Sequence, residues 1–452
     1  MKSLFGTDGV RGEAGKFPLD APTVRIIGSS LAAFLKTTSK RTPSIVIGRD
    51  TRESGDWLES SLAEGATSAE AKCLSAGVIT TPGVAFLTRK LQADAGVVIS
   101  ASHNPYQDNG IKIFAPSGQK IHDAVERYIE AEIFSNKENL ASQTASALND
   151  STPSADELRN LYLNFLSDEI GAGLSLKGLK VVVDCANGAS SALAPRLFEK
   201  LGAQVVAINA SPNGRNINLD CGSLHIESLQ SAVVSEKGDL GVAFDGDADR
   251  ALFVDEAGNF VDGDATLWVL SNQLLKHNRL KQNVVVATVM SNIGLELVLR
   301  SRGIELVRTD VGDKYVLEEL LKRDASLGGE QSGHIILPEL SLAGDGMITS
   351  LCVLGALRDA DQSLAELTAG FKRYPQVLVN VRVREKVPFD QLPAVRRAVD
   401  EVDEHLSQNG RLLLRYSGTE ALARVMIEGA DQNQIEEFAE KIAAEIRSEI
   451  GV

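Results

Sequence analysis

The 452-residue sequence exceeds what one hydrophobic core supports, since cores stop growing near about 250 to 300 residues, so several domains are expected. Hydrophobic residues at 43% and charged residues at 24% match ordinary globular usage and exclude a largely disordered or fibrous chain. The formal net charge of -15, from 61 Asp+Glu against 46 Lys+Arg, repels nucleic-acid backbones and anionic membranes, so neither is an expected partner, and any anionic substrate must be met by local clusters of Arg and Lys.

In chain order, GTDGVRG (6 to 12) sets Arg11 in a glycine-rich turn, where a guanidinium can clamp a phosphate. Helical periodicity follows in VRIIGSSLAAFLK, then the strand SIVIGRD (44 to 50), the helix WLESSLAEGA and the strand GVVIS (96 to 100). That strand runs into SASHNP (100 to 105), which carries Ser102 beside His103, and DNGIKIF then brings Lys112; hydroxyls, an Asn-Pro turn and a lysine at a strand end suit a phosphate. The polar stretch SNKENLASQTASALNDSTPSAD (135 to 156) offers little to bury and marks a first boundary.

Beyond it lie the strand KVVVDC (180 to 185), the helix LAPRLFEKLG and the strand LGVAFDGD, which opens the loop DGDADR (245 to 250). Asp245, Asp247 and Asp249 crowd three carboxylates into one turn, a cost relieved when a hard cation takes them up. An EF-hand would use Asp245, Asp247, Asp249 and Glu256 at its first, third, fifth and twelfth positions, but Arg250 stands where its glycine belongs and the flanks read as strands. Magnesium is favoured over calcium because three protein oxygens leave room for a phosphate in its octahedron.

The strand NVVVATV (283 to 289), the helix YVLEELLKR, the loop GGEQSGH (328 to 334) and two further helical stretches complete a third unit. Glu330 and Ser332 in that loop are the groups sugar hydroxyls need, with His334 beside them. From Tyr374 and Pro375 the pattern becomes strand, helix, two strands and helix, and RYSGTEALAR offers Arg415, Ser417, Gly418, Thr419 and Arg424 to a phosphate dianion. The four cysteines (Cys73, Cys185, Cys221, Cys352) show no CxxC spacing and fit reduced thiols, and no apolar run has signal-peptide or membrane-spanning length, so the cytoplasm is the expected compartment.

The fold class expected is α/β, with three α/β domains of mixed, mainly parallel sheets plus a C-terminal α+β domain, divided at 1 to 150, 151 to 255, 256 to 372 and 373 to 452. SASHNP, DGDADR, GEQSGH and RYSGTE, in that order, resemble the α-D-phosphohexomutases over essentially the whole chain. FGTDGVRG, GGEQSGH and GRNINLDCGSLH (214 to 225) are most similar to the bacterial phosphoglucosamine mutases among them.

The resemblance implies four domains around a central cleft, one motif from each, and interconversion of glucosamine 6-phosphate and glucosamine 1-phosphate for UDP-N-acetylglucosamine and cell-wall synthesis, with phosphomannomutase or phosphoglucomutase activity on the same motifs as the alternative and a non-catalytic sugar-phosphate binding protein as the further rival. Ser102 would be the phosphoserine, with Asp245, Asp247 and Asp249 holding one Mg²⁺ against its phosphate. Glu330 and Ser332 would contact sugar hydroxyls, and Arg415, Ser417, Gly418, Thr419 and Arg424 the distal phosphate. Arg11, Lys112, Arg250 and His334 would line the reacting centre, with Lys112 the candidate general base ahead of His103 or His334. Glucosamine 1,6-bisphosphate would be primer and intermediate, the partner a small phosphosugar, and the protein a monomer or homodimer. Tyr416 and Ala421 stand where the family's last loop has proline, and Leu224 where threonine is usual.

Overall fold

A computed structural model describes residues 4 to 6, 8 to 39, 41 to 136, 153 to 407, 409 to 417 and 420 to 452. The first sheet has the order β1-β2-β6-β5-β3-β4, from β1 (Phe5–Gly6), β2 (Gly9–Glu13), β3 (Ser44–Arg49), β4 (Lys72–Val78), β5 (Ala95–Ile99) and β6 (Asp108–Phe114). Around it lie α1 (Ala21–Ser39), α2 (Gly55–Ser68), α3 (Thr81–Lys90) and α4 (Asp123–Asn136). Strand β3 is buried on both faces, and its SIVIGR reads as a continuous apolar run because Ile45 and Ile47 face α1, α2 and α4 while Val46 faces α3.

Helix α5 (Ala155–Asn164) leads to the second sheet, order β11-β10-β9-β7-β8, built from β7 (Lys180–Asp184), β8 (Gln204–Ile208), β9 (Leu240–Phe244), β10 (Ala251–Asp255) and β11 (Phe260–Val261), with α6 (Ala194–Lys200) and α7 (Glu227–Glu236). Helix α8 (Gly263–Lys276) opens the third unit, where β12 (Val284–Thr288), β13 (Glu305–Thr309), β14 (Gly328–Gly329) and β15 (Ile335–Ile336) form the order β13-β12-β14-β15. Helices α9 (Ile293–Ser301), α10 (Asp313–Arg323), α11 (Gly346–Ala360) and α12 (Leu364–Thr368) complete it. Last come β16 (Gln376–Arg382), α13 (Pro393–Leu406), β17 (Arg411–Tyr416), β18 (Leu422–Glu428) and α14 (Gln432–Ile450), with sheet order β16-β18-β17.

Each of the first three sheets has a parallel centre extended by an antiparallel edge: β3 pairs in parallel with β4 and β5, and β12 with β13 and β14, whereas β5-β6, β9-β10 and β14-β15 are antiparallel. Strands running straight into an antiparallel neighbour leave short loops at their carboxyl ends. SASHNP, DGDADR, GEQSGH and RYSGTE are the β5-β6, β9-β10, β14-β15 and β17-β18 connections.

One buried apolar cluster crosses from the first sheet (Val46, Val98) through α3 and α5 (Leu87, Tyr162) to the second (Val183, Phe244) and third (Val285, Ala287), joining these units, while each also keeps a buried cluster of its own on the opposite sheet face. The polar stretch that marks a boundary in the sequence is flanked by structure on both sides. Residues 137 to 152 of it lie outside the described residues, while α4 reaches Asn136 and α5 begins behind a capping box in which Ser154 and Glu157 each satisfy the other's backbone N–H. The C-terminal unit has a separate core around Val395, Val425 and Ile442. It meets the rest where Glu428, fully buried, accepts from Ile293 N and Arg411 Nε, each at 3.0 Å, and where Asn292 bonds both the N–H (2.9 Å) and the carbonyl (3.0 Å) of Tyr374. Among the described residues no helix is long and apolar enough to cross a membrane.

Candidate active site

The β5-β6 and β9-β10 loops meet face to face. Ser102, 1% exposed, has φ 52°, in the left-handed region that side chains enter at a cost of about 1 to 3 kcal/mol, and its Oγ donates to Asp245 Oδ2 at 2.5 Å. The facing turn contains a second such residue, Ala248 at φ 56°, and packs Gly246 so tightly that a β-carbon there would lie 2.5 Å from the Ser102 carbonyl oxygen.

Asp245, Asp247 and Asp249 are all buried and each offers a carboxylate oxygen within 4.8 Å of the others. Asp247 Oδ2 accepts from Thr81 Oγ1 at 2.6 Å and Lys112 Nζ at 2.9 Å, and Asp245 Oδ1 from the Arg250 N–H at 3.2 Å. Asp247 Oδ1 and Asp249 Oδ1, although buried, have no hydrogen-bond partner among the described residues. Two acceptors left without a hydrogen bond inside a carboxylate triad fit a hard divalent cation. Burial and the two neighbouring acids push the Asp245 carboxyl well above the usual range. Burial works the same way on Asp249, but Lys112, His334 and Arg250 outweigh it and hold that carboxyl down.

Cations ring the triad. Lys112 is 2% exposed, with Nζ 2.9 Å from Asp247, 3.1 Å from Asp8 and 3.5 Å from Asp249; burial alone would depress its pKa, and these carboxylates raise it instead. Read in the sequence as a lysine at a strand end suited to a phosphate, Lys112 has its ion-pair partners in acids from two other segments. His334 Nδ1 stands 3.6 Å from Asp249 Oδ1, and Asp249, Asp313 and Glu330 lift its pKa to about 9 against burial, so it is protonated at neutral pH. His103, with Nδ1 3.3 Å from Ser102 Oγ, goes the other way: burial, Arg250 and Arg11 lower it to about 4, and it is neutral. Arg11 pairs with Asp8, and the Nε atoms of Arg11 and Arg250 are buried without a hydrogen-bond partner among the described residues, Arg250 Nε standing 3.8 Å from Asp249 Oδ1.

From the third unit, Glu330 Oε1 accepts from the Gly312 N–H at 3.1 Å and Oε2 from Ser332 Oγ at 3.4 Å, which aims the pair along the start of α10. A cavity of about 900 Å³ between α4 and α10 reaches Lys112, Asp249 and His334, and that volume admits a small ligand. A serine hydroxyl, an acidic triad and a surround of guanidinium, ammonium and imidazolium groups together can hold an anionic group in transfer.

The sequence matches models of four successive domains described as phosphoglucomutase/phosphomannomutase: alpha/beta/alpha domain I over residues 2–140, II over 160–258, III over 262–374 and the C-terminal domain over 378–445. A phosphoglucosamine mutase of Solibacter usitatus (strain Ellin6076) is 51% identical over 450 residues, covering 100% of this chain and 99% of that protein. The chain belongs to the phosphoglucomutase/phosphomannomutase family. Its activity class is phosphohexomutase, an isomerase. A family protein from Burkholderia thailandensis shares the fold over 100% of both chains, with a TM-score of 0.79 at 21% identity. An N-acetylphosphoglucosamine mutase of Aspergillus fumigatus, solved in complex with GlcNAc-6P and magnesium, shares it over 99% of this chain and 96% of that one, with a TM-score of 0.65 at 20% identity.

Within this family member the residues read from the sequence fall into two groups. Ser102, His103, Lys112, Arg11, Arg250, His334 and the three aspartates converge, with Glu330 and Ser332 alongside. The last loop stands apart: no hydrogen bond or ion pair links its described residues to the other three loops, and Gly418 and Thr419 lie outside the described residues. Arg415 and Arg424 are directly opposite one another on β17 and β18, a like-charge pairing that is destabilising unless an anion lies between them. Tyr416, where proline is usual, stacks on Phe389 with ring centroids 4.2 Å apart and bonds the Val387 carbonyl, which stiffens the strand leading into that loop. The sequence reading missed Asp8, Thr81 and Asp313. Thr81 had a signal: Thr80, Thr81, Pro82 and Gly83 form a helix start, with Thr80 as N-cap, at the foot of the metal-type loop.

Proposed function

We propose that this family member is a phosphoglucosamine mutase, interconverting glucosamine 6-phosphate and glucosamine 1-phosphate through a phosphate carried on Ser102. The observation that carries the reading is the Ser102 Oγ contact with Asp245 at 2.5 Å, within a triad in which Asp247 Oδ1 and Asp249 Oδ1 are buried without a hydrogen-bond partner among the described residues. Asp245, Asp247 and Asp249 would hold Mg²⁺, which when bound supplies the charge a transferring phosphoryl group needs and that Lys112 now gives to Asp247 and Asp249.

Relieved of that duty, Lys112 relays protons. The Oγ–P bond of phosphorylated Ser102 breaks as O1 of glucosamine 6-phosphate bonds to phosphorus, and the O1 proton passes through Lys112 to Ser102 Oγ. Glucosamine 1,6-bisphosphate then turns end for end in the cleft. Ser102 Oγ takes back the phosphoryl group from O6, and O6 receives the proton that Ser102 gives up. Arg11, Arg250 and protonated His334 bear on the negative charge of the group in flight. Neutral His103 packs beside Oγ without adding charge.

Glu330 and Ser332 hold sugar hydroxyls, while Arg415, Ser417, Gly418, Thr419 and Arg424 grip the phosphate that is not reacting. Four units, 1 to 150, 151 to 255, 256 to 372 and 373 to 452, thus contribute one loop each. A separate core and a narrow polar attachment leave the last free to close over the bisphosphate and exclude water. A coupled assay with purified protein, Mg²⁺, a bisphosphate primer and each of three hexose 6-phosphates tests this. The highest kcat/KM belongs to glucosamine 6-phosphate; a preference for the mannose or glucose compound would assign the same chemistry to another hexose. Near-normal turnover by Ser102→Ala would remove the covalent step.

A further inference from the structure

The left-handed turn at Ser102 is clasped from outside its own loop. The carbonyl oxygens of Ser102 and Asn104 converge, and two side chains donate to both. Arg52 Nη2 lies 3.2 Å from the Ser102 oxygen and 2.6 Å from that of Asn104, and Asn218 Nδ2 lies 2.9 Å and 3.0 Å from the same two atoms. Arg52 is fully buried and fixed by an ion pair with Asp50, also fully buried. Asn218 is 9% exposed, stands at φ 58° with its own N–H on the Ala186 carbonyl at 2.9 Å, and belongs to GRNINLDCGSLH, a segment to which the reaction above gives no part.

The two clamps come from different units. Arg52 follows β3 of the first sheet, whereas Asn218 lies in the connection from β8 to α7 in the second, the sheet that also presents Asp245. The same carbonyl presses on Gly246 of the aspartate turn. The Asn218 amide is thus a direct bond between the serine turn and the unit bearing the acidic triad, and it opposes relaxation of Ser102 toward ordinary backbone angles, which would swing Oγ off Asp245. We infer that Asn218 is a positioning residue for phosphoryl transfer, holding the Ser102 carbonyl with Arg52 so that Oγ stays in register with the carboxylates of the second sheet.

This rests on the reading of Ser102 as phosphoryl carrier, so Ser102→Ala is assayed beside Asn218→Gly and Asn218→Asp. Glycine removes the amide and tolerates φ 58°, and aspartate keeps the shape while turning the donor into an acceptor. A misplacement near 1 Å at a reacting group costs about 10²-fold. Both variants are therefore expected to lose about 10- to 100-fold in kcat, with KM for glucosamine 6-phosphate within about twofold of wild type and Asn218→Gly melting near wild type. If Ser102→Ala is inactive and both Asn218 variants keep wild-type kcat, the inference fails while the covalent reading stands. An equal rise in KM with kcat unchanged, or failure of both variants to fold, would assign Asn218 to binding or to the fold and also overturn it. Turnover by Ser102→Ala would instead sink the reading beneath.

Discussion

Replacing Lys112 by methionine removes the ammonium that stands among Asp8, Asp247 and Asp249 and leaves a side chain of similar length in its place. With Lys112 2% exposed and Asp247 1% exposed, the carboxylates it leaves behind are uncompensated, and deleting one partner of a buried ion pair costs about 3 to 5 kcal/mol. One buried cluster joins the first three sheets, and a unit larger than about 250 residues shifts by somewhat under 2 °C per kcal/mol, so in EDTA the melting midpoint falls by about 4 to 8 °C. Saturating Mg²⁺ then restores most of the loss, because the cation now meets carboxylates that no lysine holds. The gain in midpoint from Mg²⁺ is accordingly larger in the variant than in wild type. Turnover stays low, down by about 10²- to 10⁴-fold, since the proton relay is gone. Differential scanning fluorimetry with EDTA and with Mg²⁺, beside the coupled assay, reads all three. An unchanged midpoint in EDTA, or identical Mg²⁺ gains in the two proteins, would refute the assignment of Lys112 as the triad's stand-in cation.

Gly246→Ala forces a β-carbon to within 2.5 Å of the Ser102 carbonyl, and the displaced turn lowers kcat by about 10- to 100-fold in the coupled assay; a fully active variant would mean the two loops need not pack as described. Arg415→Ala removes one of two opposed guanidiniums, so it raises KM by about 10-fold or more for lost charged hydrogen bonds while leaving the melting midpoint equal or higher, and a lowered midpoint with normal KM would make Arg415 structural. Asp264 is fully buried beside Asp262, and burial first, then that neighbour, raises its pKa from 3.8 to about 7. A carboxyl raised on folding contributes stability that is present below pH 3.8 and lost as pH climbs toward 7, so Asp264→Asn gains on wild type in midpoint between pH 5 and pH 8; parallel pH profiles for the two would contradict it.

The four loops were legible because their chemistry demands particular residue types at short spacing. Alternate aspartates behind an apolar strand announce a cation, and hydroxyls with arginines around glycine announce a phosphate. The strands of the sheet centres were legible for a related reason: a strand covered on both faces, as in GVVIS or NVVVATV, reads as an unbroken apolar run. The supporting groups were not. Thr81 reaches Asp247 across 166 positions, Lys112 reaches it across 135 and Asn218 reaches Ser102 across 116, and no local period encodes such pairings. Lys112 shows the consequence, since its sequence neighbours suggested phosphate while its spatial neighbours are carboxylates. The edge strands β14 and β15, two residues each, are too short for any alternation to register, so GGEQSGH reads as a loop although it closes a hairpin. The cluster that joins the first three sheets was hidden in the same way, because chain length alone predicts separate cores and cannot show that one of them runs between units.

The central claim is that Ser102 carries the phosphoryl group that the hexose receives. Intact-mass and peptide-level mass spectrometry of purified protein primed with bisphosphate, then chased with glucosamine 6-phosphate and Mg²⁺, measures it directly. One phosphate on the Ser102 peptide, discharged within a single turnover to give glucosamine 1,6-bisphosphate and absent from Ser102→Ala, is the predicted result. A phosphate that sits elsewhere, or that stays on Ser102 while glucosamine 1-phosphate accumulates, would contradict the account.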